Sequence, residues 1–159
     1  MSLHEFCRRC VVTISPRSAI VDACQAMARN SVGCIVVQED GRLCGILTDR
    51  DVAIKVTGQG KDARQTKVGE IMTLQPICIS VDKSLHELTS LMHTYHVRRV
   101  PIVDGVEKVL GIVTLDDLIA LLGDEMFEIG KTVSETIPLD EPFPLRFGRY
   151  DPARENTRG

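Results

Sequence analysis

The stretch Gly45–Val52, GILTDRDV, carries an apolar run into a polar turn, and Gly111–Leu118, GIVTLDDL, does the same again. In both, a Gly and a branched apolar residue lead to a Thr (Thr48, Thr114), and three positions on stands an Asp (Asp51, Asp117). A strand-to-helix turn benefits from a hydroxyl cap, and an Asp in the first turn complements the helix dipole. A fold does not require the same pair at each such turn, so the repetition points beyond capping.

Working outward, residues 12–52 align with 77–118. Ile14-Ser15 matches Ile79-Ser80, Met27 matches Met92, and Val32 matches Val97, with one extra residue between the last two strands of the second copy. Each copy reads as a short extended piece (Val11–Ile14; Ile77–Ile79) ending at a Ser, Ser15 or Ser80, placed to cap a helix. The amphipathic helix that follows carries Ile20, Ala23, Cys24 and Met27, or Leu85, Leu88, Leu91 and Met92, at three- and four-residue spacing. Two apolar strands come next. Cys34–Val37 turns through Glu39-Asp40-Gly41 into Leu43–Leu47, and Val100–Val103 turns through Asp104-Gly105 into Val109–Val113. A second helix closes each copy, from Asp49 to about Val56 and from Asp116 to about Ile129.

This pattern predicts an α/β (α+β) chain of two pseudo-symmetric units, each strand–helix–strand–strand–helix, packed sheet to sheet so that each covers the other. The expected boundaries are 8–57 for the first unit, 58–67 for a polar linker (GQGKDARQTK from Gly58), and 68–130 for the second. Residues 131–159, with Pro138, Pro142, Pro144 and Pro152 among charges, read as an extended or disordered tail.

Composition narrows the function classes. The 159 residues are 43% apolar and 26% charged, an ordinary globular balance. Net charge is −3 and the basic residues are scattered, which argues against a nucleic-acid duplex as partner. No apolar run approaches the ~20 residues of a membrane span, and no signal-peptide pattern opens the chain, so a cytoplasmic protein is expected. No phosphate loop, Gly-x-Gly-x-x-Gly or Gly-x-Ser-x-Gly elbow occurs, so no catalytic residue is assigned and no enzyme is expected. His86, His93 and His96 read as a solvated helix face, and no metal site is assigned. Of the six Cys, Cys24, Cys34, Cys44 and Cys78 read as small buried hydrophobes. Cys7 and Cys10, in CRRC, differ: two Arg beside two thiols could support redox or metal chemistry, although a zinc site of the usual kind wants four ligands and no second CxxC exists.

Paired units that each end G-h-h-[ST]-x-x-[DN] resemble the cystathionine-β-synthase (CBS) domain, and two in tandem resemble a stand-alone Bateman module of the prokaryotic type. Val68-Gly69-Glu70-Ile71-Met72-Thr73 is similar to the family's VxxIMT lead-in, and Val97-Arg98-Arg99-Val100-Pro101-Ile102 to its HRxPV strand. The resemblance implies a regulatory, adenosine-sensing module: AMP, ADP or ATP, with or without Mg, and S-adenosylmethionine or NAD as alternatives. In the family the motif Asp takes the ribose hydroxyls and the Thr bonds a phosphate. A carboxylate accepts from a cis-diol, and a hydroxyl at a helix start suits an anion. On the family's pattern Thr48 and Asp51 share a cleft with Ile77, Arg98 and Arg99, the last as phosphate clamp. Thr114 and Asp117 share the other with Val12, Gly33 and Cys34. Cys34 stands where the second copy has Arg99, so that cleft is expected to lack the clamp. The resemblance also implies a homodimer, built on the Leu118–Ile129 stripe and the first-helix stripe around Met27, with output to a regulated protein in trans. A dimerisation or scaffold module with degenerate sites is the competing reading.

Overall fold

A computed structural model describes residues 3–4 and 11–136. The first copy contains β1 (Thr13–Ile14), α1 (Ile20–Asn30), β2 (Cys34–Glu39), β3 (Arg42–Thr48) and α2 (Asp49–Lys55). Next come α3 (Val68–Ile71) and β4 (Thr73–Leu74). The second copy follows as β5 (Ile79–Ser80), α4 (Leu85–Tyr95), β6 (Arg99–Val103), β7 (Val109–Thr114) and α5 (Leu115–Thr136). The sheets run β1-β2-β3-β4 and β5-β6-β7. In each, a short strand lies parallel to the first hairpin strand, a pairing that needs a crossover, and α1 or α4 supplies it. The expected α/β class and the two pseudo-symmetric copies are both present. CRRC (Cys7, Cys10) and the residues after Thr136 lie outside the described residues, whereas 131–136, expected as the start of an extended or disordered tail, are helical as the end of α5.

Each copy builds its own core. Ile20, Ala23 and Met27 of α1 pack with Ile35, Val37 and Leu47 of the first hairpin. Leu88 and Met92 of α4 pack with Val100, Ile102, Val113 and Leu118. Side chains alternate along a strand, so Val36 and Ile46 lie on the opposite face of the first sheet, and both are buried as well. At the hairpin tips the copies bond directly: the Val109 N–H donates to the Gly41 carbonyl at 3.0 Å and the Leu43 N–H to the Glu107 carbonyl at 3.2 Å.

Several local expectations are corrected. Ser15 and Ser80 cap turns, accepting from the N–H of Arg17 (3.2 Å) and Asp82 (3.4 Å), and do not cap helices. The cap of α4 is Ser84, in a reciprocal box with Glu87. Helix α1 starts after Ala19, which has no capping side chain; the N–H groups of Ile20 and Val21 donate instead to the carbonyls of Thr66 and Ala63, both at 3.0 Å. The segment expected as a linker therefore closes the start of α1. The VxxIMT segment packs with the first copy: Val68 and Ile71 join its core and β4 pairs with β3. Leu3 is fully buried in the core of the second copy.

The hairpins also turn differently. Asp40 and Gly41 both have positive φ (51° and 81°), the conformation a tight two-residue turn demands. In the second hairpin the Asp104 carboxylate accepts from the N–H of Val106 (3.0 Å) and Lys108 (2.8 Å), and Glu107 takes the positive φ (63°). That wider turn absorbs the extra residue.

The chain divides into two compact units, Met1–Ile119 and Ala120–Gly159. The first holds both copies. Helix α5 runs on into the second, where Leu122, Met126, Phe127, Ile129 and Val133 are exposed. The dimer stripes expected from sequence are thereby altered. Met27 and Leu118 are buried within the cores, which leaves Ile119, Leu122, Met126 and Ile129 as the outward stripe.

Candidate functional site

The repeated turns have matching geometry. The Thr48 N–H and hydroxyl both donate to Asp51 Oδ2, at 3.0 and 2.7 Å, and the Asp51 N–H donates back to Thr48 Oγ1 at 3.1 Å. Thr114 and Asp117 repeat these bonds at 3.0, 2.8 and 3.1 Å. The capping role is thus real, and it uses the same carboxylate oxygen in each copy.

The other oxygen of Asp51 is committed to a cation. Lys55 Nζ lies 2.8 Å from Asp51 Oδ1 and donates to the Ile71 carbonyl at 2.7 Å. Burial pushes the Asp51 carboxyl upward, but the bonds from Lys55 and Thr48 outweigh it and hold the group below its ordinary range. Four residues beyond Asp117 stands Leu121, so the same intrahelical ion pair has no counterpart there. Sequence reasoning missed Lys55, although its spacing from Asp51 is the usual one for such a pair.

Two clefts lie between the copies. One, of about 320 Å³, is lined by Thr48, Ile77, Arg98 and Arg99, as expected, together with Thr73 and Gln75. Among the described residues Asp51 does not line it. The other, of about 330 Å³, brings together Val12, Gly33, Cys34, Thr114 and Asp117, all five residues expected there, and adds Arg99. Both fall within the size range of small-molecule sites.

Arg99 is where the expectation changes. Strand register equates it with Cys34: Arg99 stands opposite Thr114, and Cys34 opposite Thr48. Its side chain nevertheless reaches across. A Cβ built on Gly33 would stand 3.5 Å from Arg99 Nη2 and 3.0 Å from Asp49 Oδ2. A side chain at Gly33 would crowd the Asp49 carboxylate, and the guanidinium lies at ordinary van der Waals distance from that position, on the Thr114–Asp117 side. The cleft expected to lack an arginine is therefore bordered by Arg99. Among the described residues no carboxylate lies within 4.0 Å of this half-buried guanidinium and it donates no hydrogen bond, whereas Arg98 is exposed and pairs with Asp116 at 3.4 Å. Burial pushes the Cys34 thiol up, partly opposed by Arg99 and reinforced by Asp49 and Asp117, so it stands as a protonated apolar wall of the cleft.

The remaining candidates assemble little. The rings of His93 and His96 meet edge to face at 6.3 Å, and among the described residues no group of three or more His, Cys, Asp or Glu could hold a metal ion. No helix among them is long and apolar enough to cross a membrane.

Comparison with known proteins agrees with this geometry. The CBS domain family matches residues 3–58 and 68–124. The CBS domain-containing protein YhcV of Bacillus subtilis is 43% identical over 108 residues, covering 68% of this chain and 76% of that protein. The uncharacterized protein MK0525 of Methanopyrus kandleri is 37% identical over 120 residues, 75% of this chain; the match spans 61% of its length, under two thirds. Among solved structures, the CBS domain pair of protein MJ0100, in complex with 5-methylthioadenosine and S-adenosyl-L-methionine, superposes with a TM-score of 0.70 at 26% identity, covering 79% of this chain and 98% of that one. With both repeats matched and their paired clefts formed, the chain belongs to the CBS domain family.

Proposed function

We propose that the chain is a regulatory module that binds an adenosine-containing ligand between its two CBS copies and signals by a change of conformation or assembly. One observation carries the reading: a half-buried guanidinium with no carboxylate partner among the described residues meets a Thr and an Asp in a cleft of ligand size. Arg99 would take a phosphate or another anionic group, for which its planar fork is suited. Asp117 would accept from ribose hydroxyls, and Val12, Val36 and Ile112 offer apolar surface to a base. The adenosine ligands of the MJ0100 domain pair support the ligand class. AMP, ADP or ATP are proposed first because Arg99 favours a phosphate; S-adenosylmethionine and NAD are the alternatives.

The output is proposed to pass through a homodimer, and from it to a protein partner in trans. Ile119, Leu122, Met126, Ile129 and Val133 are exposed at alternating three- and four-residue spacing, the seam pattern that a second helix buries. This stripe alone would also serve a scaffold with idle clefts. A thermal-shift panel of adenine ligands separates the two: a ligand at 100 times its dissociation constant stabilises the native state by ~2.7 kcal/mol, whereas a scaffold with idle clefts shifts with none.

A further inference from the structure

Leu3 precedes the first copy in the chain but is fully buried in the core of the second. It stands 65 positions before Val68, the spacing that relates Ile14 to Ile79. Val68 is equally buried, in the core of the first copy. The neighbouring contacts match as well. The N–H groups of Val68 and Gly69 donate to the carbonyls of Ser18 and Pro16, at 2.9 and 2.8 Å, in the turn between β1 and α1. His4 meets the corresponding turn of the second copy, its Nε2 3.9 Å from Asp82 Oδ1. The copies thus exchange lead-ins, the residues ahead of each packing on the other.

The seat of Leu3 bears on a ligand motif. Val113 and Leu118, the residues on either side of Thr114 and Asp117, lie in the same core cluster as Leu3. A close-packed core passes a displacement on to its neighbours, and an emptied leucine site is filled only in part by what surrounds it. Farther along the chain, Val11 and Val12 line the opposite wall of the Thr114–Asp117 cleft. Leu3 therefore sits behind the motif and Val12 faces it. Building on the adenosine-ligand reading above, we propose that Leu3 is a positioning residue for that ligand, its seating in the second copy fixing Thr114 and Asp117 for binding. A motif that shifts when Leu3 leaves binds in proportion to the fraction of chains still seated. Linkage makes the effect mutual: a nucleotide held at Thr114 and Asp117 strengthens the seating of Leu3 by the same factor. Occupancy of this cleft is thereby read out in the residues ahead of the first copy.

The test uses the full chain with AMP and adenosine, read by calorimetry. Leu3→Ser should weaken AMP by at least about tenfold, the factor expected when about nine chains in ten have lost the seat. Leu3→Met, which nearly conserves volume, should keep AMP within about threefold of the unmodified chain. Leu88→Ala opens a cavity in the same core, but on α4, none of whose residues lines the cleft. It should lower the melting temperature and leave AMP within about threefold. The reverse effect is read on Leu3→Cys: alkylation of the introduced thiol, located by peptide mass, should slow at least about threefold under saturating AMP. That measurement decides the matter even where Leu3→Ser does not fold. AMP bound by Leu3→Ser as tightly as by the unmodified chain, or alkylation indifferent to AMP, would overturn the proposal and leave the adenosine reading intact. Equal loss of AMP in Leu3→Ser and Leu88→Ala would also overturn it, assigning Leu3 to the core alone. Failure of both AMP and adenosine to bind the unmodified chain would instead sink the adenosine reading, and the proposal with it.

Discussion

Lys55 Nζ sits 2.8 Å from Asp51 Oδ1, the oxygen that the Thr48 cap leaves over, and the same ammonium donates to the Ile71 carbonyl at 2.7 Å. The contact joins α2 to α3 and closes one of the two repeated motifs on itself. It makes two halves that look alike in sequence unequal in chemistry.

Replacing that ammonium tests the contact. Asp51 is held below its ordinary carboxylate range, so the stability it contributes is present above about pH 4 and is lost as pH falls through its lower folded value. Lys55 is 37% exposed, and water screens the pair. Lys55→Met should therefore cost about 1 kcal/mol at pH 7, including the bond to Ile71, and distinctly less near pH 3. Urea unfolding at the two pH values checks it; an equal cost at both would assign Lys55 a packing role only.

Gly45 marks a close approach of the lead-in strand. A Cβ there would stand 2.7 Å from Met72 Sδ and 2.8 Å from the Thr73 carbonyl oxygen, and the second contact is backbone that cannot step aside. Gly45→Ala should destabilise by about 1–3 kcal/mol, as overpacking does. Gly105, with nothing within 4 Å of its Cβ position, is the control, and Gly105→Ala should stay within about 0.5 kcal/mol. Equal thermal shifts for the two would mean that β4 is not seated on β3 as described.

The helix stripes separate folding from association. Met27 is buried in the first core, so Met27→Ala should cost about 2–5 kcal/mol. Ile119, Leu122 and Met126 are exposed, and the triple change to Ser should leave each chain folded but lower its self-association. Sedimentation at micromolar concentration should give a dimer for the unmodified chain and a smaller species for the triple variant. A monomer in both cases would remove the proposed two-fold seam.

Much of the fold was legible because it is written twice. Periodicity and the Asp-Gly turns located the helices and hairpins, and register put Cys34 and Arg99 at matching places. The caps were misread because Ser15 and Ser80 satisfy local turns, while the N–H groups of α1 find carbonyls from Ala63 and Thr66, a tertiary contact with no local signature. The α1 stripe looked available for a partner because periodicity reports a buried face without saying what buries it. At the site, the family resemblance implied which residues share each cleft, and all of them but Asp51 line the cleft expected. The reach of Arg99 was not legible, because a long flexible side chain is not bound to the face its backbone register suggests. Lys55 was legible, as an Asp followed four residues later by a Lys, and its consequence for the Thr48 motif follows only once α3 is seen to supply the second acceptor.

The most direct measurement is a crystal structure of the chain grown with millimolar AMP. The account expects the nucleotide in the cleft between the copies at Thr114, with ribose hydroxyls on Asp117 and the phosphate on Arg99, while Lys55 stays on Asp51. A structure with both clefts empty under saturating AMP, or with the nucleotide held at Thr48 and Asp51 and Lys55 displaced, would contradict it.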